Sequence, residues 1–398
     1  MRNFSLRLAT AFLTFAVGVT ASAALLKRAA TTCELPVTPV VDKPSPDERT
    51  LEMVFVLDTT GSMGGLLEGA KQKIWGIVNE VMQSPDKPAV RVGLVAYRDR
   101  GDQYVTQVLP ITHDLDKVYT TLMEYRADGG GDGPENVRRA LADGVRQAGW
   151  SKASERVSQV IFLVGDAPPH DDYQDEPDTL VTTQEAVSRG MIVNTIQCGE
   201  ATDTRAVWQN IARRGEGRYF AIAQDGGVST IATPYDSRLT ELGGKLGATY
   251  MAYGGGPGEA GRDFRVKAEA EQSRTESTVA ANAAPVAAAD RAANKVMNRD
   301  AYVGDLLQSI ENGTVRLDAV KDDDLPDALQ KLPPAERKKE VERRLAERQK
   351  IRDEITSLSK QRAAFIAAER KKLTGAKAGF DSAVADALKE QMTRKGKK

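Results

Sequence analysis

The chain has 398 residues, with 55 Lys and Arg against 56 Asp and Glu, 2 His, 2 Cys and 41% hydrophobic residues. That hydrophobic share excludes whole-chain disorder, two cysteines exclude a disulfide framework or a cysteine-rich zinc site, and His113 and His170, with no H-E-x-x-H between them, exclude the zincin pattern. The net charge of −1 is a sum of opposed parts: residues 331–398 hold 20 basic and 10 acidic side chains, which leaves 35 basic and 46 acidic for residues 1–330.

Arg2 and Arg7 precede an apolar run from Leu8 to Val19, followed by Ala21-Ser22-Ala23. A basic start, an apolar run and a small-residue site describe a secretory signal cleaved after Ala23; the alternative is an uncleaved membrane anchor, against which the run is shorter than the ~20 residues that span a bilayer. The mature chain is therefore expected to be exported, to a periplasm or the cell exterior. Residues 24–49 form a Pro-rich lead-in containing Cys33, without the small apolar residues that precede a lipid-modified cysteine. In an oxidising compartment Cys33 can pair with Cys198, or Cys198 can remain a buried thiol.

The next 200 residues alternate between two periodicities. Apolar strand-like runs fall at 51–57, 91–97, 104–111, 157–165, 191–198 and 218–223. Helical patterns lie between them, at 66–81, 114–125, 135–148, 177–189, 204–214 and 235–249. The pattern predicts an α/β fold: a three-layer, doubly wound, mostly parallel sheet over about residues 50–254, with 104–111 as an antiparallel edge strand. Trp75, Trp150 and Trp208 are expected in its packing. After Gly254-Gly255-Gly256 the composition turns Ala-rich with few large apolar groups, and 255–299 reads as linker, although Ala-richness allows some helix. Residues 300–398 read as a charged helical extension: a short helix at 300–311, a long one at 335–373 and a last one from Asp381 to about Thr393. The long helix carries an apolar stripe whose heptad positions Arg362 and Glu369 interrupt, so a regular coiled coil is broken there. The stripe must be buried on the α/β domain, on its own hairpin or on another chain; docking within the chain is the first expectation and self-association the second.

In an open parallel sheet, ligands bind beyond the C-terminal ends of the strands. Here that edge receives Asp58-Thr59-Thr60-Gly61-Ser62, the loop Gly129-Gly130-Gly131-Asp132-Gly133-Pro134-Glu135, and Asp166. Asp58, Thr60 and Ser62 alternate along a tight turn, so three oxygen-bearing side chains can converge. Carboxylate and hydroxyl oxygens suit a hard divalent cation. Each segment alone is ordinary turn and capping chemistry; three at one edge are not. The acidic run Asp171, Asp172, Asp175, Glu176 and Asp178 adds a rim that is either a solvated loop or a field concentrating cations or a basic partner. His170 beside it reads as a surface histidine.

These three segments resemble the von Willebrand factor type A (VWA) family over about residues 50–250. Asp58-x-Thr60-x-Ser62 is similar to the family's D-x-S-x-S motif with Thr for the middle Ser, Asp166 matches its last acidic position, and the glycine loop occupies the place of its third motif. The resemblance implies a metal-ion-dependent adhesion site holding Mg²⁺ or Mn²⁺, with one coordination position open to a partner's carboxylate. The expected ligands are Asp58, Thr60, Ser62, Asp132 and Asp166. The family's third motif usually supplies Thr; Asp132 is the nearer match here and Glu135 the less favoured one. A third carboxylate strengthens cation binding, admits Ca²⁺ as readily as Mg²⁺, and weakens the pull on an incoming anion.

The implied function is an exported, metal-dependent protein-binding module and not an enzyme. The rival enzyme is a haloacid-dehalogenase-type phosphoryl-transfer enzyme with Asp58 as nucleophile. That pattern wants an Asp two residues later, where this chain has Thr60, and it leaves Gly129–Glu135 unexplained. A structural envelope scaffold acting through the C-terminal helices is the other rival. Neither G-x-x-x-x-G-K-[ST] nor a strand-linked G-x-G-x-x-G is present, and the basic end Arg394–Lys398 in an exported chain fits envelope polymer or lipid headgroups better than nucleic acid, and a merely solvated end better still.

Overall fold

The computed structural model describes residues 49–82, 88–222, 231–298, 301–372 and 380–394. The signal sequence, Cys33 and nearly all of the Pro-rich lead-in lie outside them. Six strands form one sheet: β1 (Thr50–Asp58), β2 (Ala89–Tyr97), β3 (Thr106–Thr112), β4 (Val157–Gly165), β5 (Ile192–Cys198) and β6 (Glu216–Ile222). The spatial order is β3-β2-β1-β4-β5-β6, with every pair parallel except β2–β3. The fold is thus the mostly parallel, doubly wound sheet with one antiparallel edge that the alternating pattern predicts. The chain leaves β1 toward β2 on one side and returns for β4 on the other, so the strand order reverses between β1 and β4.

β1 and β4 are buried along their whole length because both faces are covered. Leu51, Met53, Phe55 and Leu57 point to one face and Val54 and Val56 to the other, as a period of two requires. The first face packs against α1 (Leu67–Met82) and α2 (Leu115–Glu124). The second packs against α3 (Val137–Arg146), α4 (Thr179–Ser188) and α5 (Thr202–Arg214), where Trp208 is fully buried. Phe55 and Phe162 stack across β1 and β4 with centroids 5.1 Å apart, and Trp75 meets Tyr119 edge-on at 4.9 Å.

Residues 255–299, expected as linker, instead hold two helices, α7 (Gly258–Asn282) and α8 (Pro285–Met297), packed beside α6 (Asp236–Gly247). The scarcity of large apolar groups did not prevent packing, for two reasons. Small residues allow α8 to lie close against α6: a Cβ at Gly243 would stand 2.9 Å from the Ala292 Cβ. The buried charges are also paired: Arg291 holds Asp116 of α2 by two bonds of 2.7 and 2.6 Å and reaches Glu276 of α7 at 3.0 Å. Lys295 joins both carboxylates. Arg291 and Lys295 outweigh the upward push of burial and hold the Asp116 carboxyl below the usual range.

Three further helices follow: α9 (Leu306–Glu311), the single turn α10 (Asp327–Gln330) and α11 (Pro334–Lys372), whose 39 residues give a length of about 58 Å. α11 packs against α6, α8 and α9 of its own chain. Arg362, which broke the apolar stripe, is the reason it docks there: it bonds Asp236 at 2.7 Å and Asp290 at 2.6 Å. Arg348 is fully buried in an ion pair with Asp305 at 2.5 Å. The last helix, α12 (Phe380–Arg394), returns to the sheet and places Val384, Ala387 and Leu388 in the same cluster as Ile196, Phe220 and Ile222. Gln391 and Asn194 of β5 exchange bonds of 2.9 and 3.2 Å. No helix among the described residues is long and apolar enough to cross a membrane.

The α2–α7–α8 ion cluster yields a test. Arg291→Ala leaves Asp116 and Glu276 sharing one cation inside the protein, so chemical denaturation is expected to show a loss of about 3–5 kcal/mol. A loss no larger than that of an exposed Arg→Ala control would mean that α7 and α8 are not anchored by these charges.

Candidate functional site

The site begins where β1 stops. Asp58, its last residue, is fully buried and turns its carboxylate back on the chain: Oδ1 accepts from the Thr60 amide at 2.9 Å and the Thr60 hydroxyl at 2.7 Å. Thr60 Oγ1 lies 3.2 Å from Ser62 Oγ, and Ser62 donates to Asp166 Oδ1 at 3.0 Å. A continuous chain of side-chain oxygens therefore runs from the end of β1 to the end of β4. These are the two strands at which the order of the sheet reverses, the place where open α/β sheets bind ligands.

The glycine loop closes over this chain. Gly61 donates to the Gly129 carbonyl at 3.0 Å and Asp128 to the Thr59 carbonyl at 3.0 Å. Gly129 and Gly130 have φ of 76° and 73°, and a Cβ on Gly130 would stand 2.8 Å from Glu135 Oε1 and 3.3 Å from the Thr60 Cβ. Glycine is required there by both conformation and space. Glu135 lies under the loop and is only 2% exposed. Its amide donates to the Pro168 carbonyl at 2.9 Å, tying the loop to the segment after β4.

Three carboxylates therefore share one largely buried edge. Burial, and then the charge of Asp166, pushes the Asp58 carboxyl up to about 7, while bonds from Thr60 and Tyr97 pull the other way. Burial, followed by the charges of Asp58 and Asp99, pushes Glu135 up to about 9. Burial raises Asp166 as well, against a lowering bond from Ser62. Among the described residues Glu135 Oε2 is a buried oxygen with no hydrogen-bond partner, and Asp58 Oδ2 has only the Tyr97 hydroxyl acting on it. A donor set of carboxylates and hydroxyls, with a buried oxygen left over, is the chemistry that a hard divalent cation satisfies.

The sequence model of the von Willebrand factor A domain matches residues 52–234. The chain carries a VWA domain. Mouse von Willebrand factor A domain-containing protein 7 is 41% identical over 87 residues, which are 22% of this chain and 9% of that protein. An ariadne-like RING finger protein of Acanthamoeba polyphaga mimivirus is 26% identical over 146 residues, 34% of this chain and 13% of that protein. The chain thus matches only about a tenth of the length of these curated relatives. The crystal structure of the SpRpn10 VWA domain is 16% identical with a TM-score of 0.34, covering 44% of this chain and 88% of that one. VWA domains are generally interaction modules that mediate contacts between proteins, and they often bind a divalent cation.

Of the five ligands expected from sequence, the VWA edge gathers Asp58, Thr60, Ser62 and Asp166. Asp132 lies to one side, with its carboxylate 3.3 Å from His170 Nε2 and its side chain 61% exposed. The glycine-loop side chain whose charge reaches Asp58 is Glu135. His170, expected at the surface, is buried: its Nδ1 lies 2.8 Å from Asp172 and its Nε2 3.3 Å from Asp99. Asp99 was passed over, although it follows β2 by two residues and so falls at the same strand-end edge. The acidic rim is largely paired: Arg100 holds Asp175 and Glu176 at 2.8 and 3.1 Å, and Asp178 caps α4. Cys198 is a buried thiol, raised by burial and by the charges of Asp166 and Asp58.

Proton linkage at this edge has a definite sign. In the cation-free fold Asp58 and Glu135 retain protons that the unfolded chain, with carboxyl values of about 3.9 and 4.3, has released. The folded state then binds more protons between about pH 4 and pH 9, so stability falls as pH rises through that window. His170 is also raised, its acidic neighbours outweighing burial, and contributes with the same sign. The melting temperature of EDTA-treated protein is expected to fall between about pH 5 and pH 8, with a shallower slope in the Asp58→Asn, Glu135→Gln double variant. A slope unchanged in that variant would show that these two carboxyls are not the protonated groups.

Proposed function

We propose that the protein is an exported VWA-domain binding module whose sheet edge holds a divalent cation and uses it to engage a protein partner. The observation that carries this reading is the set of converging oxygens at the β1–β4 switch point, with the buried Glu135 Oε2 lacking a partner among the described residues. Asp58, Thr60, Ser62 and Asp166 are the proposed holders of the ion. The third position goes to Glu135 in preference to Asp132, because the Glu135 carboxylate is the one that interacts with Asp58 and lies against Thr60. Mg²⁺ is the proposed ion, with Mn²⁺ and Ca²⁺ as alternatives of the same hard-oxygen chemistry.

Bound there, the cation supplies charge that lets Asp58, Glu135 and Asp166 all ionise without mutual repulsion. The chain's own part is to fix the edge. Thr59 donates to the Tyr97 carbonyl at 2.9 Å, and Arg98 bonds the Thr59 and Arg126 carbonyls at 3.1 and 2.9 Å, bracing the turn and the glycine loop together. Three carboxylates around one divalent ion leave little attraction for a fourth, so the partner is proposed to bind the ordered edge as a surface, with an acidic side chain on the metal as one contact among several. A nucleophilic role for Asp58 is disfavoured by its complete burial. The basic start, short apolar run and Ala21-Ser22-Ala23 of the sequence support a location in the periplasm or outside the cell, and the docked α11 and α12 favour a chain that acts as one unit over one that assembles through these helices.

Calorimetry of the mature chain is expected to show divalent-cation binding that Asp58→Ala removes. Immobilised protein should then retain a set of envelope proteins in Mg²⁺ that is lost both in EDTA and in Asp58→Ala. A retained set indifferent to both would reject the metal-dependent reading in favour of a scaffold.

A further inference from the structure

Beside the oxygen-built edge lies a second cluster of different chemistry. Asp99, Asp132 and His170 each present one ligand atom, and the three atoms lie within 4.8 Å of one another. Asp99 and His170 are 6% and 5% exposed, whereas the Asp132 side chain is 61% exposed and opens the cluster to solvent. We propose that Asp99, Asp132 and His170 form a second cation site, separate from the Asp58 edge and selective for an ion that accepts an imidazole nitrogen, such as Zn²⁺ or Mn²⁺.

The geometry has room for an ion shared by the three ligands. His170 Nε2 is 3.3 Å from Asp99 Oδ2 and 3.3 Å from Asp132 Oδ1. An ion held tetrahedrally at about 2.0–2.2 Å from each ligand sets neighbouring ligand atoms about 3.3–3.6 Å apart, a separation that both His170–carboxylate pairs meet. The other ring nitrogen, Nδ1, lies 2.8 Å from Asp172 Oδ1. When Nδ1 gives its proton to Asp172, Nε2 is the atom offered to the ion. This carboxylate–histidine arrangement is the one that orients metal-bound imidazoles.

The surroundings hold the ligands in place. The His170 ring stacks on Tyr173 at 4.0 Å with an interplanar angle of 7°, and the Tyr173 hydroxyl donates to both Asp99 oxygens at 3.0 and 2.9 Å. One residue thus fixes a proposed nitrogen ligand and a proposed oxygen ligand together. Glu135 lies within reach of the charges of both Asp58 and Asp99, so the two sites adjoin. The His170 amide donates to the Glu135 carbonyl at 3.2 Å, so the two sites share a backbone connection. One imidazole with two carboxylates suits Zn²⁺ better than Mg²⁺ or Ca²⁺, whereas Mn²⁺ can enter either site.

Metal-stripped mature chain titrated with Mn²⁺ provides the test, since Mn²⁺ suits both ligand sets and is visible by electron spin resonance. Two ions per chain are expected by calorimetry, and one in Asp58→Ala. That remaining ion should show spin-echo modulation from a directly bonded imidazole nitrogen, and both the ion and the modulation should vanish in Asp58→Ala, His170→Gln. Asp132→Asn, on an exposed side chain, should weaken this site at least about tenfold with unchanged circular dichroism, and Asp172→Asn about 10- to 100-fold. The proposal is overturned by a single ion that Asp58→Ala removes, by two ions that survive His170→Gln, or by a second ion without nitrogen coupling. Loss of the Asp58 ion with retention of the nitrogen-coupled ion would reject neither site, because it is the separation the proposal requires.

Discussion

Negative charge held in a confined, poorly hydrated place governs this molecule. The C-terminal ends of β1 and β4 bring Asp58, Glu135 and Asp166 to one edge, where burial and mutual repulsion penalise their charged forms. Everything nearby is arranged around that penalty. The Thr60 amide and hydroxyl stabilise one oxygen of Asp58, Ser62 links to Asp166, and Arg98 braces the turn against the glycine loop without reaching the carboxylates. A site built this way couples protonation to local order.

The same constraint recurs where the C-terminal helices meet the α/β domain, with the opposite solution. There the buried carboxylates Asp116, Asp236 and Asp305 are met by Arg291, Arg362 and Arg348 from elements far away in sequence. Guanidinium is suited to this work because it stays charged when buried and its planar fork can hold a carboxylate by two bonds. The helical region is thereby fastened to the α/β domain by specific ion pairs as well as by apolar packing. α12 completes the arrangement by covering the β5–β6 end of the sheet. The basic excess of the tail and the acidic excess of the rest thus meet, in part, inside one molecule.

The fold was largely legible because strands 51–57, 157–165 and 191–198 are apolar on both faces, and only a parallel sheet covered by helices buries such runs. The edge strand betrayed itself by alternation. Most of the candidate site was legible for a related reason: Asp58, Thr60 and Ser62 lie in one short turn, so their convergence is a property of local spacing. The choice within Gly129–Glu135 was not legible. Asp132 and Glu135 are three residues apart in a loop that glycines let fold in many ways, and which carboxylate turns toward Thr60 is settled by contacts with Pro168 and Gly61. His170 was misread because its neighbours in sequence are polar, while its burial comes from Tyr173 and Asp99. The segment 255–299 was misread because small side chains signal flexibility in isolation and close helix packing in company.

What the sequence by itself determined are the features that depend on near neighbours: strand and helix periods, and the turn in which Asp58, Thr60 and Ser62 converge. What tertiary structure decided are the features that depend on pairing distant charges. These include which loop carboxylate joins Asp58, that Asp99, Asp132 and His170 come together, and where the helical tail docks. The physical reason is the range of the forces involved. Backbone geometry and apolar periodicity act within a turn or a strand, whereas the cost of burying a charge is settled only by whatever opposite charge, proton or ion the completed fold brings beside it.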